Sequence, residues 1–285
     1  VLASVAGFAG VANAVVKSDD QTGQVLVYPY YSVGKQDDSL TALQTTYSVV
    51  NTTDEYKAVK VRFLEGENSR EVLDFNIYLS PYDVWTGVVG GVSSSIPGHV
   101  GEDSGMHATS DQSCAPFLNK GGQEFLPYQI ELDAGNTSLV RATDGHMEIL
   151  EMGILTNAGD EAAVLHSGGV PGSCSTIEGH WDVGNSGKWT LNPNADIGVA
   201  TGGLFGSASM LNVDKATSYS YDAIALDEAF VTVQHTNPGD LTPNLSTVAP
   251  IAQGLYDTMP GSGTFQEITS IFAQNVQAVS SLFMT

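Results

Sequence analysis

Hydrophobic and polar side chains alternate most clearly along residues 58–85, and this pattern predicts a β-hairpin. Apolar residues occupy every second position over 59–63, and they do so again over 73–79, after a turn at 66–68. A period of two on both sides of a Gly/Asn turn places one face of each strand in a core and the other in solvent. We therefore expect two antiparallel strands, the second ending before Pro81.

Shorter segments with strand character are separated by turns rich in Gly, Ser, Asn and Asp. The predicted strands are 24–33, 45–54, 123–132, 137–142, 146–156, 189–191 and 219–233. Pro29 interrupts the first of these, and because proline lacks a backbone N–H it indicates an edge strand or a bulge. The aperiodic stretches 93–114 and 167–187 are expected to be surface loops.

The end of the chain changes to helical spacing. Over 264–283, apolar residues recur every three or four positions after a capping-box pattern, which predicts an amphipathic helix. The pattern as a whole predicts a mainly β protein: an antiparallel β-sandwich, jelly-roll or immunoglobulin-like, with long loops and one C-terminal amphipathic helix. We divide it into a signal-like or apolar arm at 1–16, a β-sandwich domain at 17–260 and a C-terminal helix at 261–285.

The first sixteen residues, VLASVAGFAGVANAVV, have two interpretations. An apolar run followed by Ala12-Asn13-Ala14 fits the hydrophobic region and small-x-small cleavage site of an export signal. The other interpretation is an apolar arm that the folded protein keeps and buries against a neighbouring subunit. The run is too short to span a bilayer, and no later run approaches the roughly 20 apolar residues of a membrane helix.

The two cysteines, Cys114 and Cys174, are expected to form one disulfide in an oxidising compartment. Neither lies in a CxxC motif or beside a histidine, so a metal site is not indicated. The alternative is a pair of unlinked, buried thiols. An exported protein is the interpretation that we carry forward.

The charge balance is strongly acidic, with 10 basic against 32 acidic residues. Such a surface repels phosphate backbones and anionic lipids, which argues against nucleic-acid or membrane-surface partners. It suits a saline or Ca²⁺-containing exterior, although plain solubility explains it equally.

Residues with catalytic chemistry do not form a recognisable motif. The six histidines show no metal-ligand spacing, and the Asp-Ser-Gly within 101–106 lacks a histidine in the usual triad order. We therefore predict no enzyme activity, no catalytic residue and no resident cofactor. Acidic pairs beside turns offer the oxygens that Ca²⁺ prefers, but no EF-hand loop is present, and simple hydration is the alternative. The pairs are Asp19–Asp20, Asp37–Asp38, Asp54–Glu55 and Glu102–Asp103.

Three runs together resemble a family of secreted or cell-surface β-rich proteins of Gram-negative, often marine, bacteria. The runs are GQVLVYPYYSV, SVVNTTDEYKAVKVRFLEGENSREVLDFNIYLSPYDVWTG and GGLFGSASMLNVDKATSYSYDAIAL. The likeness spans most of residues 23–283. It implies an extracellular β-rich protein with a cleavable leader, and it supplies no catalytic residues.

These features predict a structural subunit of an extracellular filament, sheath or matrix. Copies of the chain would assemble by exchanging an edge strand or apolar arm, which supplies missing backbone hydrogen bonds. The candidate contact residues are Val1, Leu2, Val5, Phe8, Val11, Val15, Val16, Val25, Val27, Tyr28, Tyr30, Ile268, Ile271 and Phe272.

A carbohydrate-binding or adhesion module on the bacterial surface is the alternative function. Trp85, Trp181 and Trp189 are the candidates for stacking on sugar rings, although aromatic residues also commonly fill a β core. A hydrolase would instead require a cleft in which serine, histidine and carboxylate side chains converge.

Overall fold

The computed structural model describes residues 15–35, 39–130, 133, 135–247, 254–257 and 265–268, the last two ranges by their backbone alone. The molecule is mainly β, and its sheets are antiparallel, which confirms the coarser part of the predicted fold class. The type of sandwich is not confirmed. None of the helices in the described part of the chain is long and apolar enough to cross a membrane.

Seventeen strands and three short α-helices are assigned in the described residues. The strands are β1 (Val16–Lys17), β2 (Val25–Ser32), β3 (Leu43–Asn51), β4 (Lys57–Glu65), β5 (Glu71–Leu79), β6 (Val84–Ser93), β7 (Asp103–Ala108), β8 (Gln123–Glu124), β9 (Asp144–Leu155), β10 (His166–Ser167), β11 (Val170–Pro171), β12 (Ile197–Gly198), β13 (Leu204–Asn212), β14 (Thr217–Asp222), β15 (Ile224–Asp227), β16 (Gly254–Asp257) and β17 (Phe265–Ile268). The helices are α1 (Ala158–Val164), α2 (Cys174–Gly179) and α3 (Lys188–Leu191), and 3₁₀ turns occupy Leu139–Thr143 and Leu245–Thr247.

Two large sheets organise the chain. The first has the order β1-β15-β2-β9-β4-β5, with β12 also pairing with β9. The second has the order β14-β13-β3-β6-β7-β8. The strands β10 and β11 form a separate two-stranded pair, as do β16 and β17.

The main hydrophobic core lies between these sheets. The first sheet contributes residues such as Val61 and Phe75, and the second contributes Tyr47, Trp85 and Leu204 to the same cluster. The Tyr47 ring meets Phe63 edge to face, with ring centroids 5.8 Å apart. Such edge-to-face pairs stabilise a core beyond the free energy of burying their area.

The predicted hairpin at 58–85 is confirmed as β4 and β5, but its polar face is not solvated. Every residue of both strands is buried. The segments 157–203 and 228–247 cover the outer face of the first sheet and carry two further hydrophobic clusters, built around Trp189 and Phe230. A period of two identifies the two faces of a strand, but it cannot show that a distant segment covers the polar one.

Several other strand predictions were wrong. Among the described residues of the segment 123–132, strand is assigned to Gln123–Glu124 alone, and Leu139–Thr143 is a 3₁₀-helix. The segment 189–191 belongs to α3, whose Trp189 is fully buried. In these short segments, tertiary packing overrides local β-propensity. The segments 93–114 and 167–187, predicted as loops, contain β7 and α2 respectively.

The helix predicted for 264–283 is not confirmed. Phe265–Ile268 form β17, which pairs antiparallel with β16 and so crosses the predicted domain boundary at residue 260. The rest of the predicted helix lies outside the described residues. Over four residues, the apolar spacing of Phe265 and Ile268 does not distinguish a helix from a strand.

The predicted disulfide between Cys114 and Cys174 is present, with the sulfur atoms 2.03 Å apart. It links the β5 edge of the first sheet to α2, because the backbone N–H of Tyr78 in β5 donates to the Cys114 carbonyl at 2.9 Å and Cys174 lies in α2. The bridge therefore closes a separation of 60 residues between the sheet and the covering layer.

Candidate interaction surface

The structure divides the predicted contact residues into three groups. Val15 is partly buried against the cluster around Phe230, whereas Val16 is exposed on β1. Val25, Val27 and Tyr28 are buried within β2 of the same chain. Tyr30 is half-buried, and its hydroxyl donates to the Asp144 carboxylate at 2.6 Å. The positions outside the described residues are Val1, Leu2, Val5, Phe8, Val11, Ile271 and Phe272, and the Ile268 side chain is not described.

The strand predicted to form an open edge, 25–31, is internal instead. β2 lies between β15 and β9 in the first sheet. Pro29 sits where the register with β9 shifts, between Tyr28 and Tyr31, so it marks a bulge and not an edge. The strand signal was correct, but a strand's position within a sheet depends on which distant segments pair with it.

The open edge is β14, the outermost strand of the second sheet. It pairs with β13 in continuous register from Thr217 to Asp222, and among the described residues no strand pairs with its other side. Five of its six residues are exposed, and Tyr219 is 63 % exposed. The chain thus leaves a six-residue strand of Thr, Ser, Tyr and Asp open to pairing.

The direction of the β14 backbone groups follows from the pairing. The Ala223 N–H donates to the Gly206 carbonyl at 2.8 Å, one step beyond the Ser207–Asp222 pair. In an antiparallel ladder, hydrogen-bonded pairs alternate with non-hydrogen-bonded pairs. The backbone N–H and C=O groups of Ser218, Ser220 and Asp222 therefore point away from β13, toward the open side.

Beside this edge, the outer face of the second sheet carries small hydroxyl side chains. The Ser209 and Ser220 hydroxyls lie 2.7 Å apart, and those of Ser48 and Ser207 lie 3.2 Å apart. A shallow depression of about 360 Å³ follows this face along β13, β3 and β6. Short hydroxyl side chains on neighbouring strands of this face therefore pair with one another.

The three candidate stacking tryptophans are buried and present no ring face to solvent. Trp85 donates to the Tyr47 hydroxyl at 3.1 Å, and Tyr47 lies 2.9 Å from His107 Nε2. The His107 Nδ1 atom is buried without a hydrogen-bond partner among the described residues, so this ring is held through Nε2 alone. Burial lowers the pKa of His107 to about 4.

A second chain of the same type lies in the covering layer. Trp181 donates to the Tyr78 hydroxyl at 2.9 Å, which lies 2.9 Å from His235 Nε2. His235 Nδ1 lies 2.5 Å from the Pro193 carbonyl oxygen, so both nitrogens of this imidazole have a hydrogen-bond partner. Burial again lowers the pKa, to about 4. These two tryptophans, Trp85 and Trp181, anchor packing.

One serine, histidine and aspartate cluster does form, but not in triad geometry. The Ser80 hydroxyl lies 2.9 Å from His166 Nδ1, and the Asp83 carboxylate lies 3.2 Å from the same nitrogen. A catalytic triad needs the carboxylate and the hydroxyl on opposite ring nitrogens. Asp83 also accepts the Ser80 N–H at 3.1 Å, as a turn residue does.

In two of the acidic pairs considered for Ca²⁺, a carboxylate is engaged by neighbouring groups, whereas the pair Asp37–Asp38 lies outside the described residues. Asp20 accepts from Ser18 and Thr22, and the Ser18 hydroxyl does most to lower the pKa of Asp20 to about 2. Glu102 accepts from the Ser138 hydroxyl and the Leu139 N–H. Within the described ranges, no group of three or more His, Cys, Asp or Glu side chains could hold a metal ion.

A layer of buried charges, which the sequence did not indicate, lies on the outer face of the first sheet. Lys60 Nζ lies 3.1 Å from Asp74 Oδ2, and it also donates to the backbone carbonyls of Asn237 and Asp240. Arg62 bridges Glu71 of β5, at 2.6 Å, and Glu148 of β9. Arginine and lysine in alternation with apolar residues predict a solvated face. The structure differs because the segment 228–247 covers this face.

No known protein-family model matches the chain, no curated protein matches its sequence, and no solved structure matches it. The resemblance to a family of secreted β-rich proteins therefore stays a prediction. The case for a function rests on the geometry of the open strand edge, the buried residues and the charge distribution.

Proposed function

We propose that the chain is a structural subunit of an extracellular filament, sheath or matrix, and that copies join by adding a strand of one chain to the open edge of β14 in the next. The supporting observation is the direction of the Ser218, Ser220 and Asp222 backbone groups, which face away from β13 on an exposed strand. Strand addition supplies hydrogen-bond partners to such groups.

The part of the apolar run that precedes β1, residues 1–14, is the proposed donor segment, because Val15 packs within its own chain and Val16 pairs with Asp227. This segment leads into β1, a two-residue strand at the edge of the first sheet. An apolar arm gains stability when a neighbouring chain buries it, and an extended arm next to β14 also forms main-chain hydrogen bonds. In the same proposal, the two large sheets form a β-sandwich that carries the edge on one side.

An extracellular location is part of this proposal. The disulfide between Cys114 and Cys174 suits an oxidising compartment. The net charge of −22 makes copies of the chain repel one another. At a saline exterior the Debye length falls to about 8 Å, which screens this repulsion and favours assembly.

Carbohydrate binding has less support as a function. Trp85, Trp181 and Trp189 are at most 3 % exposed, so stacking on a sugar ring would require the core to open. A glycan array would support this alternative if binding were lost on Trp181→Ala while the protein stayed folded.

The test is the oligomeric state of the full chain, measured by light scattering after size-exclusion chromatography in saline. Ser220→Pro removes one outward N–H of β14 without removing a bond to β13, so we expect large assemblies to give way to monomers. Ser220→Ala is the matched control, because it keeps the N–H and should still assemble. Assembly that persists unchanged in the proline variant would contradict strand addition at β14.

A further inference from the structure

The buried charge layer of the first sheet does not balance. Lys60 and Arg62 supply two positive charges to Asp74, Glu71 and Glu148, which supply three negative ones. All five side chains are nearly inaccessible to solvent. Burying an uncompensated carboxylate costs free energy unless a cation or a proton joins it.

The polar atoms left over in this layer are all acceptors. Within the described part of the chain, Glu71 Oε1, Asp74 Oδ1, Asn76 Oδ1 and Glu148 Oε1 are buried without a hydrogen-bond partner. Native proteins rarely leave such atoms unsatisfied. The layer therefore lacks N–H donors as well as positive charge.

A cleft of about 200 Å³ opens beside this layer, and Asp74 lines it. Most of the other lining residues are apolar or aromatic, among them Leu73, Phe117 and Pro238, and Gln123 is a polar one. This volume is smaller than that of a typical ligand pocket, so the cleft suits a group the size of one side chain and not a polymer.

Two aromatic residues at the cleft have features of a binding rim. Phe117 is 58 % exposed and has a φ of 63°, a left-handed conformation that is unusual for a bulky side chain. Tyr128 is partly exposed, and burial, followed by the charges of Asp74 and Glu71, raises the pKa of its hydroxyl. Tyr128 and Asp74 thus line the same cleft.

We propose that this cleft binds a primary ammonium group on an apolar stem, with Asp74 as its counter-ion and with Phe117 and Tyr128 against the stem. An ammonium group brings the positive charge and the three N–H donors that the layer lacks. Aromatic faces attract such cations, and this attraction grows when water is excluded. The raised pKa of Glu71, about 7 because of its burial, fits a layer with surplus negative charge.

The ammonium group has two sources, a free alkylamine or a lysine side chain of a protein partner. Titration of the full chain with n-butylammonium chloride tests the first, and the peptide acetyl-Ala-Lys-Ala-amide tests the second, both followed by NMR. We expect saturable binding of at least one at millimolar concentration, and none of the neutral analogue n-butanol. Tighter binding of the peptide would assign the site to a protein lysine, and tighter binding of butylammonium to a small amine.

The variants separate the cleft from general effects on the fold. Asp74→Asn should weaken binding at least tenfold, but it also weakens the bonds from Lys60 and Gly239 to that carboxylate. Phe117→Ala changes an exposed side chain and should weaken binding several-fold. Tyr82→Ala is the matched control, since Tyr82 is also exposed, aromatic and of positive φ, but lies outside the cleft.

Two outcomes would overturn the proposal: no saturable binding of either amine, or binding that Phe117→Ala and Asp74→Asn leave unchanged. The cleft borders β5 of the first sheet, whereas the open edge belongs to β14 of the second. Failure of amine binding would therefore not count against the proposed assembly. Failure of the assembly would likewise not count against amine binding at the cleft.

Discussion

At the scale of single residues, the core between the sheets depends on close approaches that only glycine allows. Gly87 of β6 faces Tyr47 and His107, and a Cβ built there would lie 2.5 Å from Tyr47 Cε1 and 2.7 Å from His107 Nε2. The absence of a side chain at this position lets the hydroxyl and the imidazole meet. The sequence shows a glycine in a strand, but it does not show which ring approaches it.

Gly87→Ala is expected to lower the free energy of unfolding by about 1–3 kcal/mol, because the methyl group overpacks the site. Gly90→Ala on the same strand is the control, since an added Cβ there meets no atom within 4 Å. Urea unfolding of both variants measures the difference. Equal stability of the two would show that Tyr47 and His107 have room to move.

The buried histidines should make the fold sensitive to acid. Burial lowers the pKa of both His107 and His235 to about 4, below the ordinary value of 6.5. As pH falls from 6.5 to 4, the unfolded chain binds protons that the folded chain does not, so stability falls. Once pH is below 4, the loss amounts to about 3 kcal/mol for each histidine.

Imidazole NMR signals followed from pH 7 to the acid limit of the fold test this directly, and unfolding at each pH tests the consequence. The raised pKa of Glu71, about 7, acts in the opposite direction between pH 7 and 4.5, so the NMR titration is the cleaner readout. Titration of either imidazole near pH 6.5 would refute the assignment of two neutral buried rings.

At the scale of elements, the strands with a long period-two pattern were predictable, and the short ones were not. β4 and β5, of nine residues each, follow from the alternation over 59–63 and 73–79, which packing against a second sheet reinforces. α3 was predicted as a strand, because Trp189 and Thr190 favour strands in isolation. In the observed helix, Trp189 is buried and its indole N–H donates a hydrogen bond to the Ala195 carbonyl at 2.9 Å.

The candidate surface was only partly predictable for the same reason. An edge strand is defined by what does not pair with it, so no local pattern separates the internal β2 from the open β14. Pro29 predicted an edge strand or a bulge, and the structure has the bulge. The charge layer could not be predicted, because Lys60 and Arg62 alternate with apolar residues in the same way as solvated residues do. The segment 228–247, which is distant in sequence, covers Lys60 and provides the carbonyls to which it donates.

The charge layer makes a matched prediction about two lysine–aspartate pairs. Lys60→Met leaves the buried Asp74 uncompensated and should reduce the free energy of unfolding by about 3–5 kcal/mol. Lys35→Met removes a pair with Asp103 of similar length, 3.0 Å, but Lys35 is 46 % exposed. Solvent screens that pair, so its loss should amount to less than about 1 kcal/mol.

Chemical denaturation of the two methionine variants provides the comparison. Equal effects would mean that the segment 228–247 opens readily and that water reaches Lys60.

At the scale of the whole molecule, the described residues combine a well-covered sheet with an uncovered one. The outer face of the first sheet is buried under segments 157–203 and 228–247, and the disulfide joins that layer to β5. The second sheet leaves its hydroxyl face and the β14 edge exposed. Such an asymmetric distribution suits a subunit that presents one side for contact with further copies.

Cryo-electron microscopy of the full chain in saline tests this account most directly. The account predicts ordered assemblies in which a segment of a neighbouring copy, residues 1–14 being the proposed one, runs beside β14 and forms hydrogen bonds with Ser218, Ser220 and Asp222. A uniform population of single molecules, or assemblies whose contacts leave the β14 edge bare, would contradict it.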